Sequence, residues 1–206
     1  MNRFLLAFCF AAFGLVILRP AAAAPAFEKL PGEQGKTSPL LMRIVQYQGS
    51  TNGAITVEVK NPTSTPQEFS AKGIYFVPTG SANDAPQRLG AVGPFQMQSS
   101  NGASQRLDHT TIAAGAIDRI SLDVYCIDSH RASPSPATSF RVAKDRVPAP
   151  LMQAIDADAA KSAEGYGGVS SNAAKGAVQS QVWKNRDKKW IELDGEGKHE
   201  AAKSRR

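Results

Sequence analysis

The sequence predicts a mainly β protein: an antiparallel β-sandwich followed by a small helical appendage. Two observations predict this fold. Between residues 39 and 147, short segments with an apolar residue at every second position are separated by turns rich in Gly, Pro, Asn and Ser. Beyond Pro148 the apolar residues change to helical spacing. Because no helices alternate with the strands, the pattern favours antiparallel pairing over a parallel sheet.

The clearest strand is Ala54–Lys60, in which Ile55, Val57 and Val59 alternate with polar residues. Alternation with period two places such residues on one face of a half-buried strand. The segment 117–127 has the same pattern and is predicted to present one apolar face, formed by Ile120, Leu122, Val124 and Cys126. Shorter strands are predicted at 41–47, around Phe69, at 74–77, from Thr110 and at 140–142. Residues 78–105 are predicted to be a long loop containing one or two short strands.

Two helices are predicted beyond Pro148. Within residues 151–163, apolar side chains recur at helical spacing and Pro150 suits the first turn. A glycine-rich segment at 165–168 separates this helix from a second one at 172–183. The predicted organisation is therefore a signal peptide at 1–24, an irregular lead-in at 25–38, the β-sandwich at 39–147, the helical appendage at 148–184 and a charged disordered tail at 185–206.

The N-terminal segment has the pattern of a secretory signal peptide. Arg3 precedes an uncharged, apolar run from Phe4 to Leu18, and small residues follow at 21–24. The run fits the ~7–15 residues of a signal sequence and is shorter than the ~20 residues that span a bilayer. We therefore expect an exported protein, periplasmic, secreted or at the cell surface, with no membrane span in the mature chain; the alternative is an uncleaved anchor.

Charge and motifs argue against several function classes. The formal net charge of +6 falls by two when Arg3 and Arg19 leave with the signal peptide, and no basic stripe is interleaved with aromatic residues. Nucleic-acid binding is therefore not expected. His109, His130 and His199 are scattered, without metal-ligand spacing, and no G-x-S-x-G, P-loop or GxGxxG motif occurs. No cofactor, metal or enzymatic activity is predicted.

The mature chain is predicted to contain a single cysteine. Cys9 belongs to the signal peptide, which leaves Cys126 without a partner for an intramolecular disulfide. Exported proteins normally pair their cysteines or lack them, so this thiol needs another explanation. Cys126 lies in the segment Tyr125-Cys126-Ile127-Asp128, and 53 positions later the helical part contains Val178-Gln179-Ser180-Gln181-Val182-Trp183.

These two segments resemble the paired motifs of the thioester domains of bacterial surface adhesins. The first motif of that family is aromatic-Cys-apolar, and the second is apolar-Gln-x-x-apolar-apolar, with Trp often last. The family combines a β-sandwich with a helical subdomain, and its Cys thiol and Gln carbonyl are joined as an internal thioester after loss of ammonia. The resemblance implies that Cys126 is the thiol partner and Gln179 the acyl donor, with Tyr125, Asp128 and Trp183 as supporting residues.

The resemblance implies a function without turnover: an amine on a partner attacks the thioester, forms an amide and frees the thiol. The sequence departs from the family where Val178 and Gln181 replace the usual Thr and Ala. The predicted function is thus an exported surface or envelope binding module, covalent through Cys126 and Gln179, whose partner is a protein or glycan at the cell envelope or host surface.

Two alternatives remain open. In the first, Cys126 is a buried apolar residue at the end of a core strand and Gln179 is an ordinary residue on the helix surface. The protein is then a non-covalent, envelope-associated sandwich with a structural or carbohydrate-binding role. In the second, His130, on the same segment as Cys126, activates the thiolate of a thiol hydrolase.

Overall fold

The computed structural model describes residues 25–33, 36–49, 53–92, 95–98, 103–164, 172–188 and 191–197, and the predicted signal peptide lies outside them. The strands are β1 Glu28–Pro31, β2 Thr37–Tyr47, β3 Ala54–Lys60, β4 Gln67–Ser70, β5 Tyr75–Pro78, β6 Leu89–Ala91, β7 Phe95–Gln98, β8 Ser104–Leu107, β9 His109–Ile112, β10 Ile117–Cys126 and β11 Phe140–Val142. The helices are α1 Ala149–Glu164 and α2 Asn172–Lys188.

The strands form one large antiparallel sheet in the order β1-β2-β3-β10-β6-β5-β11. β7 joins it through β10 and carries β8, while β4 and β9 pair separately. Because β11 also packs beside β2 and β1, the sheet curves until it is nearly closed into a barrel. The predicted fold class, mainly antiparallel β with helices following, is confirmed.

The predicted alternation explains the interior of this sheet. In the register of β3 with β10, Val57 lies opposite Ile120 and Ile55 opposite Leu122. The four alternate residues predicted to share one face of β10 all lie in the same buried cluster inside the sheet. Burial of this face removes apolar surface from water, which stabilises the fold by about 25 cal/mol per Å². It also fixes the register of the strands, because a slip of one residue would expose the apolar face.

A second apolar cluster lies between the outer face of the sheet and the helices. Tyr125 and Ile127, which alternate with Cys126 along β10 and its continuation, contribute from the sheet, and Leu151, Val178 and Val182 contribute from α1 and α2. The helices therefore cover the end of β10. No helix within the described residues is long and apolar enough to cross a bilayer.

Two predicted boundaries differ from the structure. The lead-in at 25–38 contains β1, which pairs with β2 and buries Leu30. The tail predicted at 185–206 is ordered at its start, since α2 continues to Lys188 and residues 191–197 pack on the sheet with Leu193 buried. Both elements depend on contacts with distant residues, which local pattern does not reveal. The glycine-rich break at 165–168 and the tail beyond 197 lie outside the described residues.

Candidate functional site

The structure brings the two predicted thioester residues into direct contact. The side-chain amide of Gln179, in the middle of α2, forms two hydrogen bonds with the main chain of Cys126. Its Oε1 accepts from the Cys126 N–H at 2.9 Å, and its Nε2 donates to the Cys126 carbonyl at 2.7 Å. Both residues are buried, with 0% and 5% of their surface exposed. The interaction joins the end of a strand to a helix 53 residues away.

The geometry of β10 explains why this amide fits there. The first part of the strand pairs with β3, whose first residue, Ala54, lies opposite Asp123. The last part pairs with β6 on the other side, where Ile127 donates its N–H to the Arg88 carbonyl. In an extended strand successive residues direct their N–H and C=O groups to opposite sides. Cys126 therefore directs both groups past the end of β3, and Gln179 occupies the place of a strand partner.

The thiol itself lies on the interior side of β10. Cys126 belongs to the cluster inside the sheet together with Leu122 and Val124. Burial raises the pKa of the Cys126 thiol to about 12, and the nearby charge of Asp128 contributes to the rise. At neutral pH the sulfur therefore carries its proton. His130 is exposed in the turn that follows, so the structure does not place it with Cys126 as a buried pair.

The two aromatic residues predicted to support the site pack against different apolar clusters, and Trp183 lies against the cluster inside the sheet. Tyr125 is buried in the same cluster as Val178 and Val182, which lie on α2 with Gln179. The indole Nε1 of Trp183 donates to the Gln87 Oε1 at 3.1 Å. These contacts hold α2 against the end of β10, and they do not involve the amide of Gln179.

Asp128 acts at a different place from the one the motif suggests. Its carboxylate is fully buried and accepts three hydrogen bonds from Arg88: from Nε at 2.8 Å, from Nη2 and from the main-chain N–H. Arg88 directly precedes β6 and is itself buried. A paired, hydrogen-bonded carboxylate and guanidinium is the usual form in which charges are buried. Asp128 therefore fixes the end of β10 to the start of β6.

Two further charges extend this pair to α2 and to the C-terminal segment. The Glu196 Oε1 accepts from Arg88 Nη1 at 3.2 Å and from Arg186 Nη2 at 3.0 Å. Arg186 lies on α2 beyond Gln179, and its Nε is 3.9 Å from Asp128 Oδ1. Arg88, Arg186 and Glu196 were not predicted as site residues, because nothing in their local sequence distinguishes them from surface charges. We refer to Arg88, Asp128, Arg186 and Glu196 as the buried charge cluster.

Residues 191–197, here called the C-terminal strap, are held by a second set of polar contacts. Asp194 accepts from Nη1 and Nη2 of Arg141 at 2.6 and 2.9 Å, and its main-chain N–H donates to the Tyr75 hydroxyl at 2.8 Å. The hydrogen bonds from Arg141 are the main cause that lowers the pKa of Asp194 to about 2. The strap thus supplies Glu196 to the buried charge cluster from a fixed position.

Asp194→Asn tests this attachment through its pH dependence. The pKa of this carboxyl group is ~3.9 in an unfolded chain and about 2 in the folded protein. Its ion pair therefore stabilises the fold above about pH 4 and is lost as the pH falls to about 2. We expect the variant to lose about 1–2 kcal/mol of unfolding free energy at about pH 7, a range that allows for the partial exposure of Arg141. At or below the folded pKa of Asp194, the variant and the parent should have the same unfolding free energy. Chemical denaturation at several pH values measures the difference. The exposed Asp145→Asn is the control, and a deficit that does not change with pH contradicts the assignment.

A third polar group lies beside the candidate site on β10. Asp123 is nearly buried and pairs with two cations: Oδ2 with Arg106 Nη1 at 3.0 Å and Oδ1 with Lys175 Nζ at 3.1 Å. Lys175 lies on α2 one turn before Gln179. Among the described residues no three His, Cys, Asp or Glu side chains are placed to hold a metal ion.

Comparisons of this chain with known protein families, with curated proteins and with solved structures found no match.

Proposed function

We propose that this protein is an exported binding module that captures a partner amine covalently through an internal thioester between Cys126 and Gln179. One observation carries the proposal: both polar atoms of the Gln179 amide are held on the main chain of the residue that bears the only buried free thiol of the described chain. The thiol and the amide therefore meet at one residue. Contact between the two residues makes their reaction intramolecular, which favours its rate.

The protons of bond formation balance within the two residues. The Cys126 sulfur attacks the Gln179 Cδ, the C–N bond breaks, and the thiol proton goes to the departing nitrogen, which leaves as ammonia. Atoms and charge balance without an external acid, because the neutral thiol carries the proton that the amide nitrogen needs. Because burial raises the pKa of this thiol to about 12, the nucleophilic thiolate forms only as the proton is passed on during the attack.

The main chain of Cys126 supplies groups for both the formation and the use of the thioester. Its N–H already donates to the Gln179 Oε1, where negative charge develops when a nucleophile adds to the carbonyl carbon. A fixed donor at that position stabilises the tetrahedral intermediate. Its carbonyl accepts from the Gln179 Nε2, the place vacated by ammonia and taken by the nitrogen of an incoming primary amine.

The product of capture can therefore restore the original pair of hydrogen bonds. A primary amine adds its nitrogen to the Gln179 carbonyl carbon, the C–S bond breaks, and the released thiolate takes up the proton lost by nitrogen. The secondary amide keeps one N–H, which can donate to the Cys126 carbonyl. Burial of the bond keeps water from competing. The partner is a protein or glycan at the cell envelope or host surface that bears an accessible primary amine.

Intact mass before and after treatment with methylamine tests the proposal. We expect the purified mature protein to be lighter than its sequence by one ammonia, with no thiol available for alkylation after denaturation. Methylamine should add one molecule of its own mass and free the Cys126 thiol. A mass equal to that of the plain sequence, with Cys126 alkylated in full after denaturation, would refute the thioester.

Three variants sharpen the measurement. Cys126→Ala and Gln179→Ala each remove one member of the bond, so both should have the plain mass and take up no methylamine. Gln181→Ala is the matched control, because Gln181 lies on the same helix two positions later and its amide forms no bond with Cys126. If the parent takes up methylamine and Cys126→Ala takes it up at the same rate, the assignment of the thioester to Cys126 is contradicted.

The second candidate function is a non-covalent, envelope-associated module without chemistry at Cys126. The observation that favours it is the hydrogen-bonded amide itself, which satisfies two buried main-chain groups and so gives Gln179 a structural role. Glycan binding that survives Gln179→Ala, measured on an array of envelope polysaccharides, together with a plain mass, would support this function instead.

A further inference from the structure

Lys175 presents a primary amine close to the acyl donor of the proposed site. Side chains four residues apart on a helix are neighbours, with Cβ atoms about 5–6 Å apart, and Lys175 precedes Gln179 by four. Both side chains reach the same strand, since Gln179 contacts Cys126 and Lys175 contacts Asp123 of β10. An amine held this close competes at effective concentrations that reach ~10⁵ M or more for well-oriented groups. A thioester at Gln179 therefore needs protection from its own chain.

We propose that Asp123 is a positioning residue that preserves the thioester by pairing with Lys175 and holding its Nζ away from the Gln179 carbonyl. This inference rests on the proposed function. In this role Asp123 determines which amine reacts with the thioester. Lys175 of the same chain is kept from reacting, and an amine supplied by a partner can react.

The geometry of the Asp123 contacts suits this role. The carboxylate oxygen lies 3.1 Å from Nζ, so the ion pair holds the lysine nitrogen at Asp123. Asp123 also lies three residues before Cys126 on β10, which places its Cα about 10 Å from that of Cys126 along the strand. The ion pair thus holds the nitrogen toward the far end of the site.

Arg106 explains why the carboxylate stays in place. It donates to the second oxygen of Asp123 at 3.0 Å from β8, so the carboxylate is fixed between a guanidinium and an ammonium. The pair is shielded from water, since the Asp123 side chain is 9% exposed and that of Lys175 20%. Tyr125, the next residue on this face of β10, has its pKa raised to about 12, chiefly by burial, and is neutral. Lys175 is therefore the amine that Asp123 restrains.

Loss of the restraint has a defined chemical outcome. Lys175 gives up a proton to water, its Nζ attacks the Gln179 carbonyl carbon, the C–S bond breaks and the thiolate takes a proton. The product is an amide between Lys175 and Gln179, with a free Cys126 thiol. Its mass equals that of the thioester form, but its reactivity is opposite: it is alkylated by iodoacetamide and takes up no methylamine.

The experiment compares the parent with Asp123→Ala, Lys175→Arg and the double variant, using intact mass, alkylation after denaturation and methylamine uptake. We expect Asp123→Ala to remain lighter by one ammonia, to have a free thiol and to lose methylamine uptake, with Lys175 and Gln179 linked in a single peptide on digestion. Lys175→Arg and the double variant should take up methylamine like the parent, because a guanidinium does not attack. Asp118→Asn, which removes another carboxylate of β10, is the control and should react like the parent.

Each other result has a distinct meaning. Methylamine uptake by Asp123→Ala equal to that of the parent overturns the proposal, because the lysine then needs no restraint. A double variant without a thioester also overturns it, since Asp123 would then be required for the fold of the site. Hydrolysis in place of the lysine amide shows that Asp123 excludes water instead, which again overturns it. A parent without a thioester refutes the proposed function itself, and the role of Asp123 falls with it.

Discussion

Asp128→Ala is expected to lower the free energy of unfolding by about 3–5 kcal/mol, the cost of removing one partner from a buried ion pair. Asp128 is the carboxylate that accepts from Nε, Nη2 and the main-chain N–H of Arg88. Both side chains are fully buried. The variant leaves a guanidinium in the interior with fewer acceptors than it needs, and Glu196 then has to serve both Arg88 and Arg186 without the second carboxylate.

The substitution should also disturb the candidate thioester site, because the buried charge cluster connects the helix and the strands that form this site. Arg186 belongs to the helix that carries Gln179, and Arg88 directly precedes the strand that pairs with Cys126. A displaced α2 would separate the Gln179 amide from the Cys126 main chain. We therefore expect Asp128→Ala to reduce methylamine uptake, even though the carboxylate of Asp128 lies outside the pair of hydrogen bonds between those two residues.

Denaturant unfolding of matched variants measures the effect. Asp187→Ala is the control, since Asp187 is exposed and bonds to Ser129 in the turn after Asp128; it should change stability by no more than about 0.5 kcal/mol. The double variant Arg88→Met with Asp128→Leu removes both charges and leaves Arg186 paired with Glu196. It should recover much of the loss, as buried pairs replaced by apolar residues often do. An Asp128→Ala deficit below about 1 kcal/mol would contradict the assigned role.

Sequence pattern predicted the sheet because its strands depend on local alternation. The bounds of β3 and β11 agree with the predicted segments, and the four residues predicted to share a face of β10 all belong to the same buried cluster. β1 was not predicted, because a four-residue strand carries little periodicity and forms through its pairing with β2. The near closure of the sheet likewise depends on where β11 returns, which no local signal encodes.

The candidate site was predictable only through its two motifs. The aromatic-Cys-apolar segment and the helical Gln segment indicated a contact between Cys126 and Gln179, and the structure shows that contact. It also shows something the motifs do not contain: the amide occupies the position of a strand partner beyond the end of β3. The contacts of Arg88 with Asp128 and Glu196 and the pairing of Asp123 with Lys175 join residues 40 to 108 positions apart in the chain. Their residue types are ordinary surface charges until the fold buries them.

Gln179→Glu is the second variant with a large expected effect, and it reproduces the form that hydrolysis of the thioester would leave. It replaces the Nε2 donor with an oxygen that faces the Cys126 carbonyl at the 2.7 Å position. An ionised carboxylate there repels a buried acceptor, so the folded state favours the protonated form of the introduced carboxyl group, and the pKa of that group rises above the unfolded value of about 4.3. The variant should cost about 2–4 kcal/mol at about pH 7.

The pH dependence of Gln179→Glu separates this cause from a general loss of packing. With the folded pKa raised, both states are protonated below about pH 4, where the acid can still donate to the Cys126 carbonyl. As the pH rises the unfolded state ionises first, and the free energy of unfolding falls by about 1.4 kcal/mol per pH unit until the folded group also ionises.

Gln179→Ala, which equally lacks a thioester, is the reference, and its loss of stability should not depend on pH. Unfolding of both variants at about pH 4 and about pH 7 gives the comparison, and parallel behaviour of the two would contradict the predicted contact. In the proposed function, hydrolysis therefore loosens the site, whereas capture of an amine preserves an N–H for the Cys126 carbonyl, so the folded site favours the captured product over the hydrolysed one.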